Sequence, residues 1–147
     1  MNKIIWPVLA FLSGAFLPIQ AAINAKLGKS IESPVYAALI SFLVGTLALI
    51  AYIILTGQQV SFANAKSVPT YVWFGGILGA FYVTIIVFAF PRVGPALTFG
   101  LVVGGQMVIS VLLDHFNILV ATPHPINFWR IAGVGLIVAG VILVRKF

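Results

Sequence analysis

Two side-chain amides lie in an apolar stretch that contains no charged residue. The stretch runs from Ile4 to Ala25, and the amides belong to Gln20 and Asn24. Residues four apart share one face of a helix, and Ser13 precedes Gln20 by seven residues on that face. An unpaired polar group in hydrocarbon costs roughly 4–8 kcal/mol on alkane transfer scales, so these groups must face protein, water or a ligand. The chemistry they offer is hydrogen bonding, either to a bound solute or to a neighbouring helix.

A glycine and a proline interrupt the same stretch. Pro18 has no N–H to donate to the carbonyl of Gly14, which predicts a helix kink and a free carbonyl at this depth. Transporters place their binding sites at such interrupted helices near the membrane midplane. This favours a partly wet cavity in which Ser13, Gln20 and Asn24 contact a substrate. Cross-linking of helices, worth about 0.6 kcal/mol per hydrogen bond in a membrane, is the alternative.

A second polar row occupies the fourth apolar stretch at positions i, i+4 and i+8, with Gln106, Ser110 and Asp114. Gln106 falls near mid-membrane and is a candidate substrate contact. Asp114 falls near the end of the stretch and serves either proton coupling or a structural ion pair. Its candidate partners are Arg130, on the same side of the membrane, and Arg92 of an inverted second copy.

Three aromatic residues and one arginine complete the candidate set. Phe16, Trp73 and Tyr82 form the walls of a cavity, or else serve packing and the membrane interface. Arg92 precedes the N-terminus of the fourth stretch, where backbone N–H groups attract anions. Either an anionic substrate or a lipid headgroup fits that position.

Composition excludes a water-soluble domain. The chain is 62% hydrophobic and 7% charged, whereas soluble domains carry about 25% charged residues. Its eight basic residues stand mostly singly at the ends of apolar runs, which is typical of membrane anchoring and not of nucleic-acid binding. Without cysteine, and with two isolated histidines, neither a metal site nor a cofactor is expected. No catalytic constellation is evident, so we expect no enzymatic activity.

Helix-breaking prolines and glycines, together with the charged residues, divide the chain into five apolar runs, each long enough to cross a bilayer. We predict an all-α integral membrane protein in which residues 1–147 form a single five-helix domain. The predicted spans cover about residues 4–25, 34–56, 70–90, 95–116 and 128–144. Small residues recur at helical spacing in spans two to five, which indicates close helix packing. We expect span five to form the contact between the two copies of a dimer.

The basic residues leave the orientation ambiguous. Three lie on the N-terminal side and five on the other, a weak difference by the positive-inside rule. Either the five-charge side is cytoplasmic in every copy, or the chain inserts both ways and forms an antiparallel homodimer of ten helices. The first group is Lys3, Lys66 and Arg130; the second is Lys26, Lys29, Arg92, Arg145 and Lys146.

Short motifs recur along nearly the whole chain. The most specific are Gly105-Gln106 with Asp114-His115-Phe116. The others are Gly14-x-x-x-Pro18-x-Gln20-x-x-x-Asn24-Ala25, Ser41-Phe42-x-x-Gly45-Thr46, Pro91-Arg92-x-Gly94 and Arg130-x-x-Gly133. Together these motifs resemble those of the YdcZ-like single-domain family of the drug/metabolite transporter superfamily.

The resemblance implies five helices per chain, antiparallel pairing of two such units, and the bacterial cytoplasmic (inner) membrane. It also implies a distant relation to the small multidrug resistance exporters. Those carry a membrane-embedded glutamate on the first helix, where this chain has Gln20 and Asn24, so their proton-exchange mechanism does not transfer.

We therefore expect a small secondary-type transporter that moves an unidentified small organic solute by alternating access at a midplane cavity. A neutral or anionic solute fits better than a cation, because no acidic side chain lies at midplane. Its expected partners are a second copy of itself and membrane lipids. The alternatives are a passive channel and a non-transporting membrane subunit that needs a different partner.

Overall fold

Five long helices account for most of the chain in the computed structural model, which describes residues 4–63, 65–120 and 122–147. The helices are α1 (Ile5–Ser30), α2 (Pro34–Thr56), α3 (Gly75–Val93), α4 (Pro95–His115) and α5 (Phe128–Lys146). Two short 3₁₀ helices, Ala65–Ser67 and Thr70–Phe74, lie between α2 and α3. Within the described ranges there is no β-strand.

Local sequence explains where the helices begin. Ser33 caps α2 by accepting a hydrogen bond from the Tyr36 N–H at 3.4 Å, and Pro34 fills the first helical position, where no N–H is needed. Asn127 caps α5 by accepting from the Arg130 N–H at 2.9 Å. Gly94 precedes α4 with a φ of +89°, a conformation that glycine adopts without the steric penalty of a Cβ.

Two helices extend beyond their predicted ends. The first span, predicted to end near Ala25, continues as a helix to Ser30. The third span, predicted to end near residue 90, continues through Pro91 to Val93, and Gly94 alone separates α3 from α4. A proline near the end of a helix removes a single backbone hydrogen bond, so the last turn persists.

The start of the third span differs as well. Its first five residues, Thr70–Phe74, form a 3₁₀ helix, and the α-helix begins at Gly75. Two of the basic residues counted for the orientation of the chain fall outside the described part of the structure, namely Lys3 and the side chain of Lys66. Asn64, in the link between α2 and α3, also lies outside it.

The chain divides into two compact units between Arg92 and Val93. In the first unit, α1 packs against α2 through small residues, and Ala21, Ala37 and Ala38 are buried. Gly28 lies where these helices meet. A Cβ on this residue would lie 3.2 Å from the Pro34 Cα and 3.4 Å from a Val87 methyl of α3. In the second unit, α4 packs against α5.

The remaining helical surface is strongly apolar and exposed. All five helical segments are long and apolar enough to cross a membrane, and at most 11% of the most apolar part of each is buried within the protein. The shortest has 19 residues, which at about 1.5 Å per residue approaches the ~30 Å of a hydrocarbon core. Such surface is stable against lipid or a second protein copy, and costly in water.

Candidate functional site

A groove of about 410 Å³ runs between α1 and α2. Its apolar lining consists of Phe16, Ile19, Ile23, Leu27, Ile40 and Val44. Its polar lining consists of Gln20, Asn24 and Ser41. This α1–α2 groove has the size of a small-molecule site, and its few polar groups among apolar walls are the usual composition of one.

One polar pair in this groove joins the two helices. The Asn24 side chain is 5% exposed, and its Nδ2 donates a hydrogen bond to the Ser41 Oγ at 3.1 Å. The Ser41 hydroxyl is half-buried and keeps its own proton available for an acceptor. The pair therefore both links the helices and presents an O–H group at the groove.

Gln20 differs from Asn24, because its amide is exposed and bonds to no other group in the part of the chain that the structure describes. Gln20 and Ser41 also border a second groove, of about 560 Å³, which follows α2 past Thr46 to Tyr52. The Thr46 hydroxyl donates to the Phe42 carbonyl of its own helix at 2.8 Å. Gln20 is thus the polar side chain that α1 offers to both grooves.

The structure brings together three of the residues predicted to contact substrate, namely Phe16, Gln20 and Asn24. Ser13 lies apart from both α1–α2 grooves, and its hydroxyl donates to the Ala10 carbonyl at 2.8 Å. The helix α1 is continuous through Gly14 and Pro18.

The two aromatic residues predicted on the third span do not line either groove. Trp73 lies in the 3₁₀ helix before α3 and is 62% exposed. Tyr82 lies on α3 with its hydroxyl oxygen buried and without a hydrogen-bond partner among the described residues.

In the second unit, Arg130 joins the end of α4, the following loop and the start of α5. Its guanidinium forms an ion pair with the Asp114 carboxylate and donates to the His124 carbonyl. The His124 N–H in turn donates to the Asp114 carbonyl at 3.3 Å, and the His115 Nδ1 accepts from the Ile126 N–H at 3.2 Å. These bonds hold the loop across the ends of both helices.

The two other predicted site residues take separate positions. Arg92 turns back on its own helix, where a guanidinium nitrogen donates to the Phe88 carbonyl at 2.6 Å. Its guanidinium carbon lies 5.5 Å from the Phe88 ring centroid. Gln106 is exposed on α4 and lies outside the groove of about 420 Å³ between α4 and α5. The described residues include no group of three or more side chains able to hold a metal ion.

Ser41 is the site residue that sequence reasoning missed. In the sequence it stands at helical spacing between Ala37 and Gly45, in a row of small residues on the second span. Its hydroxyl proved to be the partner of Asn24. The signal available in the sequence was that a buried amide needs a hydrogen-bond partner on a neighbouring helix.

Comparison with known proteins assigns the chain to a family. Residues 5–143 match the family described as "Putative inner membrane exporter, YdcZ". The chain is 27% identical over 141 residues, 94% of each chain, to the inner membrane protein YdcZ of Escherichia coli strain K12. No solved structure matches the chain.

The family description supports membrane transport as the general function, and it is consistent with a protein that is not an enzyme. Together with the five apolar helices, it identifies an integral protein of the inner membrane. The match covers all five helices except the last residues of α5. The chain therefore belongs to the YdcZ family of inner membrane proteins.

Proposed function

We propose that the protein is a secondary-type transporter that moves a small organic solute by alternating access, and that it works as an antiparallel homodimer. The α1–α2 groove is the binding site, with Gln20, Asn24 and Phe16 on its wall. Ser13, Trp73, Tyr82 and Gln106 remain predicted contacts, which would have to approach the solute in another conformation or from the second copy.

The observation that carries the proposal is the unpartnered amide of Gln20 on a groove wall, within a helix long enough to cross the membrane. An amide without a partner is costly in hydrocarbon, since nothing there replaces its hydrogen bonds to water. A solute or water in the groove removes that cost. A passive channel would need a continuous polar lining, whereas this groove is mostly apolar.

Three features support the homodimer. The charge difference between the two sides of the chain is small, which permits insertion both ways. The exposed apolar surface is extensive. On α5, Gly133 and Gly140 share one face at a spacing of i, i+7, and a Cβ added to either would meet no atom within 4 Å. This face is therefore open to the close approach of another helix. We propose α5 as the contact between the copies.

The transport proposal is tested by a solute screen on purified protein in liposomes. We expect saturable flux for at least one small organic solute, with strong loss in Gln20→Ala and Asn24→Ala. Flux that never saturates would favour a channel, and no flux from the purified protein alone would favour a subunit of a larger assembly. Wild-type flux in both variants would remove the proposed site.

The dimer proposal is tested by topology. The natural chain has no cysteine, so a single cysteine introduced as Gln59→Cys reports orientation without background. We expect a membrane-impermeant thiol reagent to label about half of the copies from each side. Labelling from one side alone would overturn the antiparallel arrangement and leave the groove as a site within one copy.

A further inference from the structure

The α1–α2 groove has hydrogen-bonding groups at one place and apolar walls elsewhere. Asn24 is engaged with Ser41, which leaves the Gln20 amide and the Ser41 O–H free to bond a ligand. A primary amide offers both a donor and an acceptor, and the hydroxyl offers a donor. Gln20 and Ser41 together therefore offer a ligand two donors and one acceptor.

None of the nine described residues that line the groove carries a charge. A charged group moved from water into such a site loses far more solvation energy than neutral hydrogen bonds return. The six apolar side chains on the walls favour an equally apolar body on the ligand. The groove thus selects against ions of either sign.

We infer that the solute is uncharged and largely apolar, with one carboxamide-like group: a carbonyl next to an N–H, as in an amide, lactam or urea. The carbonyl accepts from the Ser41 O–H and the Gln20 Nε2, and the N–H donates to the Gln20 Oε1. This inference rests on the proposed transport function, of which it specifies the substrate class.

The test measures binding and needs no flux. Purified protein in phosphatidylcholine–phosphatidylglycerol nanodiscs is titrated with 2-naphthamide, and binding is followed by the fluorescence anisotropy of the naphthalene. The matched probes are 2-naphthoate and (2-naphthyl)methylammonium, which keep the ring and replace the amide by an anion or a cation. Empty nanodiscs supply the reference for partition into lipid.

We expect saturable binding of 2-naphthamide, with a Kd about tenfold or more below that of either charged probe. Gln20→Ala should weaken 2-naphthamide about tenfold through the loss of two hydrogen bonds, and Ser41→Ala several-fold through the loss of one. Gln59→Ala removes an equivalent amide from the segment after α2 and should leave the Kd unchanged. Elution of each variant at the wild-type position in size-exclusion chromatography confirms that it is folded.

Three outcomes would overturn the inference: equal or tighter binding of a charged probe, unchanged binding in folded Gln20→Ala and Ser41→Ala, or a signal no larger than that of empty nanodiscs. The last would mean that lipid or another helix fills the groove. Saturable flux of a charged solute alongside any of these results would leave the transport proposal standing. Binding of 2-naphthamide without flux of any solute would instead remove the transporter and leave the ligand class.

Discussion

The guanidinium of Arg130, at the start of α5, forms an ion pair with the carboxylate of Asp114, at the end of α4. Both side chains are 25% exposed, so the pair is shielded from water only in part. Arg130 also donates to the His124 carbonyl. The arrangement favours a structural role for Asp114 over proton transfer, because its carboxylate is already paired with the permanently charged guanidinium of Arg130.

Asp114→Asn should therefore lower stability, by about 1–2 kcal/mol for a hydrogen bond between charged groups at a partly exposed site. The measurement is the midpoint of thermal unfolding in detergent. His124→Ala is the matched control, since the His124 side chain takes no part in the contact and its carbonyl is retained. Intact stability together with a loss of proton-driven flux in Asp114→Asn would assign this carboxylate to coupling instead.

Gly28→Ala should lower the stability of the protein, because the added methyl would push α1 away from α2 and α3. The new methyl would lie 3.2 Å from the Pro34 Cα, and a backbone atom cannot move aside as a flexible side chain can. Overpacking of this kind costs about 1–3 kcal/mol, which thermal unfolding would detect. Gly76→Ala on α3 is the control, because its methyl would meet no atom within 4 Å; equal behaviour of the two variants would argue against the close packing at Gly28.

The hydrogen bond between Asn24 and Ser41 should appear as a coupling energy. In a double-mutant cycle with Asn24→Ala and Ser41→Ala, we expect the two effects on the free energy of unfolding to be non-additive by about 0.6–1.7 kcal/mol. Steric trapping in bicelles measures these free energies. Strict additivity would show that the two side chains act independently in the membrane.

The weak charge difference should make orientation easy to bias. Lys3→Gln with Lys66→Gln leaves one basic residue on a side that had three, against five on the other. We expect this variant to insert in one orientation and to lose the labelling of Gln59→Cys from one side of the membrane. Arg145→Gln with Lys146→Gln equalises the two sides at three charges each and should preserve labelling from both. Unchanged labelling in the first variant would mean that other features set the topology.

Hydropathy in the sequence predicted the number and approximate positions of the helices, because the length of an apolar run reflects the thickness of the bilayer. It predicted the helix ends less well. The α1 helix continues over Lys26–Ser30, since backbone hydrogen bonding persists after the chain has left the region where charges are costly. Pro91 likewise stops neither the last turn of α3 nor its continuation to Val93.

The groove was predictable in part. The spacing of Gln20 and Asn24 placed both amides on one face of α1, and the structure has both on the groove. The partner of Asn24 was not predictable, because helical spacing says which residues of α2 share a face but not which face meets α1. Ser13 shares that helical spacing, yet its hydroxyl bonds to a carbonyl one turn earlier, a local alternative that serine commonly takes in apolar helices.

Both walls of the groove come from neighbouring helices of one chain. In the proposed homodimer each copy would therefore contribute its own α1–α2 groove, and a mutation in one copy would leave the groove of the other unchanged. When wild-type and Gln20→Ala chains are produced together, a dimer with one chain of each kind should therefore keep one functional ligand-binding groove.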